Sequence, residues 1–236
     1  MKILISCEES QAICKEFRKL GHEAYSNDLL PCSGGHPEWH IIEDTFNVIN
    51  GGNFTTENGI EIEIDEWKLM ISHPSCTYLS SSGAQWLSHP DDIELPFEER
   101  RPNPKYPTRR NDMLNSVDFV RRLYDCKIEH VAIENPIGLL SSRWRKPDQI
   151  IQPWMFGDEA TKSTCLWLKN LPLLEPTEIV GKGEKVVYAS GKSHPKWYAD
   201  AMRNTKTKAE RQTLRSKTFP GIARAIAEQY HNYLTQ

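Results

Sequence analysis

Lys2-Ile3-Leu4-Ile5-Ser6 and the run from His22 through Tyr25 to Asp28 are two short apolar stretches with a different pattern between them. Across residues 10–20 the apolar positions Ala12, Ile13, Phe17 and Leu20 fall at helical spacing. Gly21 follows where a helix turns into left-handed backbone. Strand, helix and strand over residues 2–28 predict the start of a βαβ unit, and with it a parallel sheet. Farther on, Asn58-Gly59 is a hairpin signal beside Ile60, Ile62 and Ile64, and reads as a surface insertion before a strand at 67–71. Residues 88–110, rich in proline and charge, read as a long loop insertion. A helix is predicted over Asn111–Tyr124, with Met113, Leu114, Val117, Val120, Leu123 and Tyr124 facing the core and Arg121 and Arg122 facing solvent. Strands follow at 130–133 and Thr164–Leu168. A helix from Gly221 onward turns Ile222, Ala223, Ala225, Ile226 and Tyr230 inward. The fold class is α/β: one domain over residues 1–236, a mostly parallel sheet with helices on both faces.

A chain of 236 residues with 38% hydrophobic content can bury one good core, which favours the single-domain reading. No stretch approaches the roughly 18 apolar residues of a membrane span, and no signal-peptide pattern is present, so no membrane partner is expected. The cysteines at 7, 14, 32, 76, 126 and 165 form no Cys-x-x-Cys pair. That excludes a disulfide framework or zinc ribbon and predicts reduced thiols in a cytoplasmic protein. Charge is uneven: residues 1–70 hold five Lys/Arg against thirteen Asp/Glu, whereas residues 190–217 hold eight against two. Arg100, Arg101, Lys105, Arg109 and Arg110 form a second basic cluster around Tyr106. Such patches suit a phosphate backbone, although charge runs are also ordinary solvated surface.

The chemistry centres on Ser72-His73-Pro74-Ser75-Cys76-Thr77-Tyr78-Leu79-Ser80, which follows the apolar run Leu69-Met70-Ile71. A thiol at the carboxyl end of a strand lies where open α/β sheets bind ligands. A lone cysteine is more often a buried structural one. A second sharp turn, Ile133-Glu134-Asn135-Pro136, favours the functional reading. Thiol and carboxyl at neighbouring strand ends can act on one substrate as nucleophile and proton donor. Cys32, His36 and His40 are spaced as three zinc ligands could be. The intervening Ser33-Gly34-Gly35 and Pro37 argue against one helical face presenting them, and no metal site is expected.

Four blocks in series resemble the cytosine-C5 DNA methyltransferases, most closely their compact phage-type members. The nucleophile block, Pro-Pro-Cys before a hydrophobic residue and Ser, is matched by Pro74-Ser75-Cys76 with Leu79-Ser80 and Gly83. The Glu-Asn block is matched by Glu134-Asn135, followed by Pro136-Ile137-Gly138. The block after a Tyr-Gly turn, Gln-x-Arg-x-Arg, falls on Phe156-Gly157 and Ala160-Thr161-Lys162-Ser163-Thr164. The last block, Gly-Asn-Ala-Val-Pro-Pro before a helix, falls on Ser216-Lys217-Thr218-Phe219-Pro220-Gly221. There are departures. The family's glycine-rich first turn is Ser6-Cys7-Glu8-Glu9-Ser10 here. Its arginines become Lys162 and Thr164, which lack the guanidinium fork. The target-recognition region, near 170–212, is reduced or absent.

The resemblance implies a Rossmann-like S-adenosylmethionine-dependent methyltransferase fold and transfer of a methyl group to C5 of cytosine in DNA through a covalent cysteine adduct. Cys76 would add at C6, and Glu134 would protonate N3, which calls for a raised pKa. Asn135 would orient Glu134, and Lys162 would hold the cytosine oxygen. In a duplex the base must first be flipped out. S-adenosylmethionine is expected against Ser6, Cys7, Glu8 and Ser10, against Asp28, Leu29 and Asp44, and against Pro74, Ser216 and Lys217. Asp44 reads equally as a helix N-cap. DNA is expected against Ser80, Arg101, Lys105, Arg109, Arg110 and Thr164. For a phage-encoded protein the location would be the host cytoplasm. Two alternatives are a pyrimidine-nucleotide C5-modifying enzyme and a non-catalytic DNA-binding protein on the same fold.

Overall fold

β1 (Lys2–Ser6) sends Ile3 and Ile5 to one side and Leu4 to the other, and all three are fully buried. That is the signature of a strand covered on both faces. The computed structural model describes residues 1–236, apart from the side chains of Lys208, Ala209 and Gln212. After β1 come α1 (Ala12–Lys19), β2 (Glu23–Asp28), β3 (His40–Ile42), α2 (Thr45–Val48), β4 (Gly52–Thr55), β5 (Glu61–Ile64) and β6 (Leu69–Ser72). The chain continues through α3 (Arg109–Tyr124), β7 (His130–Pro136), α4 (Leu140–Arg143), β8 (Gln149–Ile151) and β9 (Thr164–Lys169). It then forms β10 (Lys185–Val187), β11 (Ser193–Pro195), α5 (Lys196–Arg203), α6 (Lys208–Ser216) and α7 (Pro220–Leu234).

Seven strands form one sheet in the order β3-β2-β1-β6-β7-β9-β8. β1 pairs in parallel with β2 and β6, β2 with β3, and β6 with β7. β9 runs antiparallel to both β7 and β8. β4 and β5 pair only with each other, as the Asn58-Gly59 signal predicts. With that hairpin set aside, the parallel strands take the doubly wound order 3-2-1-4-5, and the chain reverses direction across the sheet between β1 and β6. The α/β class, the mostly parallel sheet and the two covered faces are all present.

Alternation along the strands builds two cores. Ile3, Ile5, Leu69, Ile71, Ala132, Leu166 and Leu168 pack under α1 and α7. Leu4, Met70, Val131, Ile133, Cys165 and Trp167 pack under α3. Met113, Val117, Val120 and Leu123 are the buried stripe of α3, whereas Leu114 is half exposed. One helical step past Met113 carries Leu114 off the i, i+4, i+7 line. β7 is longer than predicted. Glu134, Asn135 and Pro136 continue it by pairing with Leu166, Cys165 and Thr164, so the Glu-Asn pair sits on a strand and not in a sharp turn. Pro136 is tolerated there because it ends the strand. Residues 170–219 hold the β10–β11 hairpin and two short helices, a small annex to the sheet.

Candidate active site

The site grows from the carboxyl ends of β6 and β7. Their parallel register sets Ser72 opposite Ile133, so the next residues out, His73 and Glu134, become neighbours. His73 Nδ1 lies 3.2 Å from Glu134 Oε2, and both side chains are largely buried. Asn135 points to the opposite face, where its Nδ2 donates to the Pro74 carbonyl at 2.7 Å and fixes the turn that carries Cys76. Cys76 is half-buried, and its carbonyl accepts from the amides of Leu79 and Ser80. Gly138 lets the strand after β7 close onto this turn, because a Cβ there would lie 2.0 Å from the Leu79 carbonyl oxygen.

Electrostatics couple the three groups. Burial opposes ionisation of Glu134, but the hydrogen bond and charge of His73, with Lys162, outweigh it and hold the carboxyl below its usual range. The raised pKa expected for Glu134 is therefore corrected: the hydrogen bond and charge of His73 hold its carboxyl below the usual range. Burial disfavours the His73 cation, yet the Glu134 hydrogen bond and the charges of Glu134 and Glu8 raise its pKa. The Cys76 thiol is pushed up by burial and then by the Glu134 carboxylate, while its own backbone amide, Lys162 and Arg215 pull the other way.

A narrow cavity of about 10 Å³ is lined by His73, Glu134, Lys162 and Thr164, with Thr218, Phe219 and Ile222 as its roof. Lys162 Nζ donates to the carbonyls of Lys217 at 3.0 Å and Ser216 at 3.4 Å, so it pins that roof. Thr164 is buried, and its hydroxyl donates to the Lys162 carbonyl. Two motifs distant in sequence meet behind the roof: the Gly221 amide donates to Asp158 at 2.8 Å, beside the Phe156-Gly157 turn.

The residues expected to hold the cofactor divide. Ser6 is buried in a hydroxyl cluster with Thr45 and Ser72. Glu8 accepts from the amides of Ile13 and Cys14 and so caps α1, with a pKa raised by burial. Ser10 accepts from the Ala12 amide, and Asp44 from Phe46 as the N-cap of α2. Cys7, pushed up to about 11 by burial, has φ +58°, and Gln11 has φ +57°. Two side-chain-bearing residues thus adopt the left-handed backbone that glycine usually supplies. Asp28, at the end of β2, uses Oδ1 for the Leu30 amide, and Leu29 beside it is 70% exposed. Asn27 Oδ1 is buried there with no hydrogen-bond partner among the described residues.

No family model and no curated protein matches this chain.

The basic loop is stitched to itself. Arg101 grips the Asp92 carboxylate through Nε and Nη2, holding Asp92 well below its usual range. Arg109 donates to the carbonyls of Thr77 and Gly83, and Arg110 donates to the Ser88 hydroxyl. Lys105 lies over the rings of Trp86 and Tyr106, both partly exposed. Ser80 bonds Ser82. Of the expected DNA contacts, Arg109 and Ser80 lie on or against the Cys76 loop, Arg101 and Lys105 belong to the loop beyond it, Arg110 lies in the first turn of α3, and Thr164 lines the cavity on β9. Cys32, His36 and His40 do not converge on one point: His40 bonds Ser26 and the Leu30 carbonyl, and His36 pairs with Glu38. Sequence reasoning quoted His73 but gave it no task, and it passed over Asn27. The available signal was register, since a residue one step past a parallel strand end faces its neighbour's counterpart.

Proposed function

We propose that this protein is an S-adenosylmethionine-dependent methyltransferase acting on C5 of cytosine in DNA. The observation that supports it most is the convergence of Cys76 and Glu134, from separate motifs, on the carboxyl ends of adjacent parallel strands next to the switch point. The residues at the ends of β1 and β2 fit the methyl donor. Asn27 presents an unpaired buried oxygen, Asp28 a carboxylate and Leu29 an exposed apolar surface. The strained turn through Cys7 opens the backbone as glycine would. Bound, the donor supplies an electrophilic methyl group for C5.

Cytosine C5 is too electron-poor to react unaided. Addition of the Cys76 thiolate at C6 makes C5 nucleophilic. A proton delivered to N3 lowers the cost of that addition, and it can come from His73 through Glu134 across their hydrogen bond. While the proton rests on Glu134, before it passes to N3, the charge that opposes Cys76 ionisation is absent. After methyl transfer to C5, loss of the C5 proton to solvent re-forms the C5–C6 double bond and expels Cys76 as the thiolate, and the N3 proton returns to Glu134. Lys162 and Asn135 act as positioning residues, one on the roof and one on the Cys76 turn.

The deciding experiment is transfer of labelled methyl from S-adenosylmethionine to DNA. Label that enters DNA with native protein supports the reading. Native protein that binds the donor yet labels no DNA overturns it; label entering deoxycytidine monophosphate instead would point to a nucleotide substrate, which the small annex at 170–219 leaves room for.

A further inference from the structure

His73 has one nitrogen accounted for and one not. Its Nδ1 faces Glu134, which fixes the ring, while Nε2 is buried and makes no hydrogen bond among the described residues. Buried polar atoms are rarely left so, and each exception needs an explanation. His73 lines the cavity beside β9, whose volume of about 10 Å³ has room for one water or one oxygen projecting from a larger ligand. Three charged groups surround the ring: Glu134 from β7, Glu8 from the turn after β1, and Lys162 from the segment before β9. The two carboxylates outweigh the lysine and the effect of burial and raise the pKa of the ring, which favours the form with a proton on Nε2. Lys162 is meanwhile occupied by the carbonyls of Ser216 and Lys217.

We infer that His73 Nε2–H is the donor that receives the ring carbonyl oxygen of the substrate pyrimidine, in the place where this chain has no arginine. The inference rests on the reading of a cytosine-directed enzyme and adds a specificity-determining residue to it. Discrimination follows from the geometry, because a base without that oxygen leaves a buried N–H unpaired.

The test is nitrogen NMR of imidazole-labelled Cys76→Ala protein, which cannot form the adduct, titrated with a single-stranded oligonucleotide containing one cytosine. The same oligonucleotide with an abasic site in place of cytosine is the reference. The His73 Nε2 signal is expected to move with cytosine and stay put with the abasic strand. An Nε2 signal that does not move at saturation, or moves equally with both strands, overturns the inference. A variant pair adds a kinetic arm, since an Asn amide reaches where Nδ1 lies and a Gln amide where Nε2 lies. Both variants remove the proton source and are expected to lower kcat; His73→Asn, which also lacks a donor where Nε2 lies, is expected to raise KM about tenfold, and His73→Gln to leave KM little changed. Two variants with the same KM and kcat changes overturn it. The two claims separate cleanly. Native protein that labels DNA with an unmoved Nε2 removes the inference alone, and a cytosine-specific shift without methyl transfer removes the methyltransferase reading alone.

Discussion

The turn after β1 and the turn after β6 leave adjacent parallel strands at the same switch point, yet they are built in opposite ways. In the first, every expected polar side chain is spent. Glu8 caps α1, Ser6 joins a hydroxyl cluster, and Gln11 donates to Ser26 and the His36 carbonyl while accepting from the His36 amide. In the second, His73 Nε2 is buried with no hydrogen-bond partner among the described residues, near the half-buried Cys76 thiol. Satisfied polar groups fix a backbone, and unsatisfied ones wait for a ligand. The first turn holds its backbone in place, and the second leaves a polar atom unsatisfied next to a thiol.

Replacements on the two sides should therefore fail differently. Cys76→Ala is expected to reduce methyl transfer at least about a thousandfold without moving the melting temperature. Equal loss of activity and stability would make the second turn as structural as the first. Glu8→Ala is expected to cost about 2 kcal/mol in urea unfolding, because two helix amides lose a buried acceptor. Glu8 also carries a pH signature. Its folded pKa is raised, so its contribution is fullest below the ordinary carboxylate range and declines as pH rises through the folded value. Glu8→Gln should flatten that part of the stability profile, measured by urea unfolding from acid to neutral pH.

Cys7→Gly is expected to stabilise the fold by about 1 kcal/mol, or 2–4 °C in calorimetry, by relieving left-handed strain. A drop would mean that the Cys7 side chain is worth more than its strained backbone. The smallest effect belongs to the second turn. Glu134→Gln should speed alkylation of Cys76 about threefold at pH 8, since removing the carboxylate lowers the thiol pKa. An unchanged rate would uncouple the two groups.

Much of this was legible in the residues. The apolar runs and helical spacing of residues 2–28 and 111–124 predicted their elements because burial on one or two faces dictates them. Cys76 and Glu134 stood out because each follows an apolar run. What stayed hidden depends on pairing between distant segments. Glu134 looked like a turn residue because its partners in β9 lie some thirty positions away, and Asp44 kept two readings until the cap on α2 decided for the local one. The arginines at 101, 109 and 110 read as free charge since their partners, a carboxylate, two carbonyls and a hydroxyl, are brought together only by the loop. His73 went unassigned for the same reason. Its task is defined by register.

One consequence of α7 concerns how the protein is made. Gly221 must sit against the Phe156 carbonyl, and Ile222, Ala223, Ala225, Ile226 and Tyr230 cover the face that Ile3, Ile5, Leu69 and Ile71 present. Until α7 leaves the ribosome, that face of a nearly finished sheet is open and sticky, and the roof over His73 has no support. During synthesis the sheet's oldest strands must wait for one of its youngest helices. Chaperone demand should peak in that interval, and the cavity beside His73 should mature only when it closes.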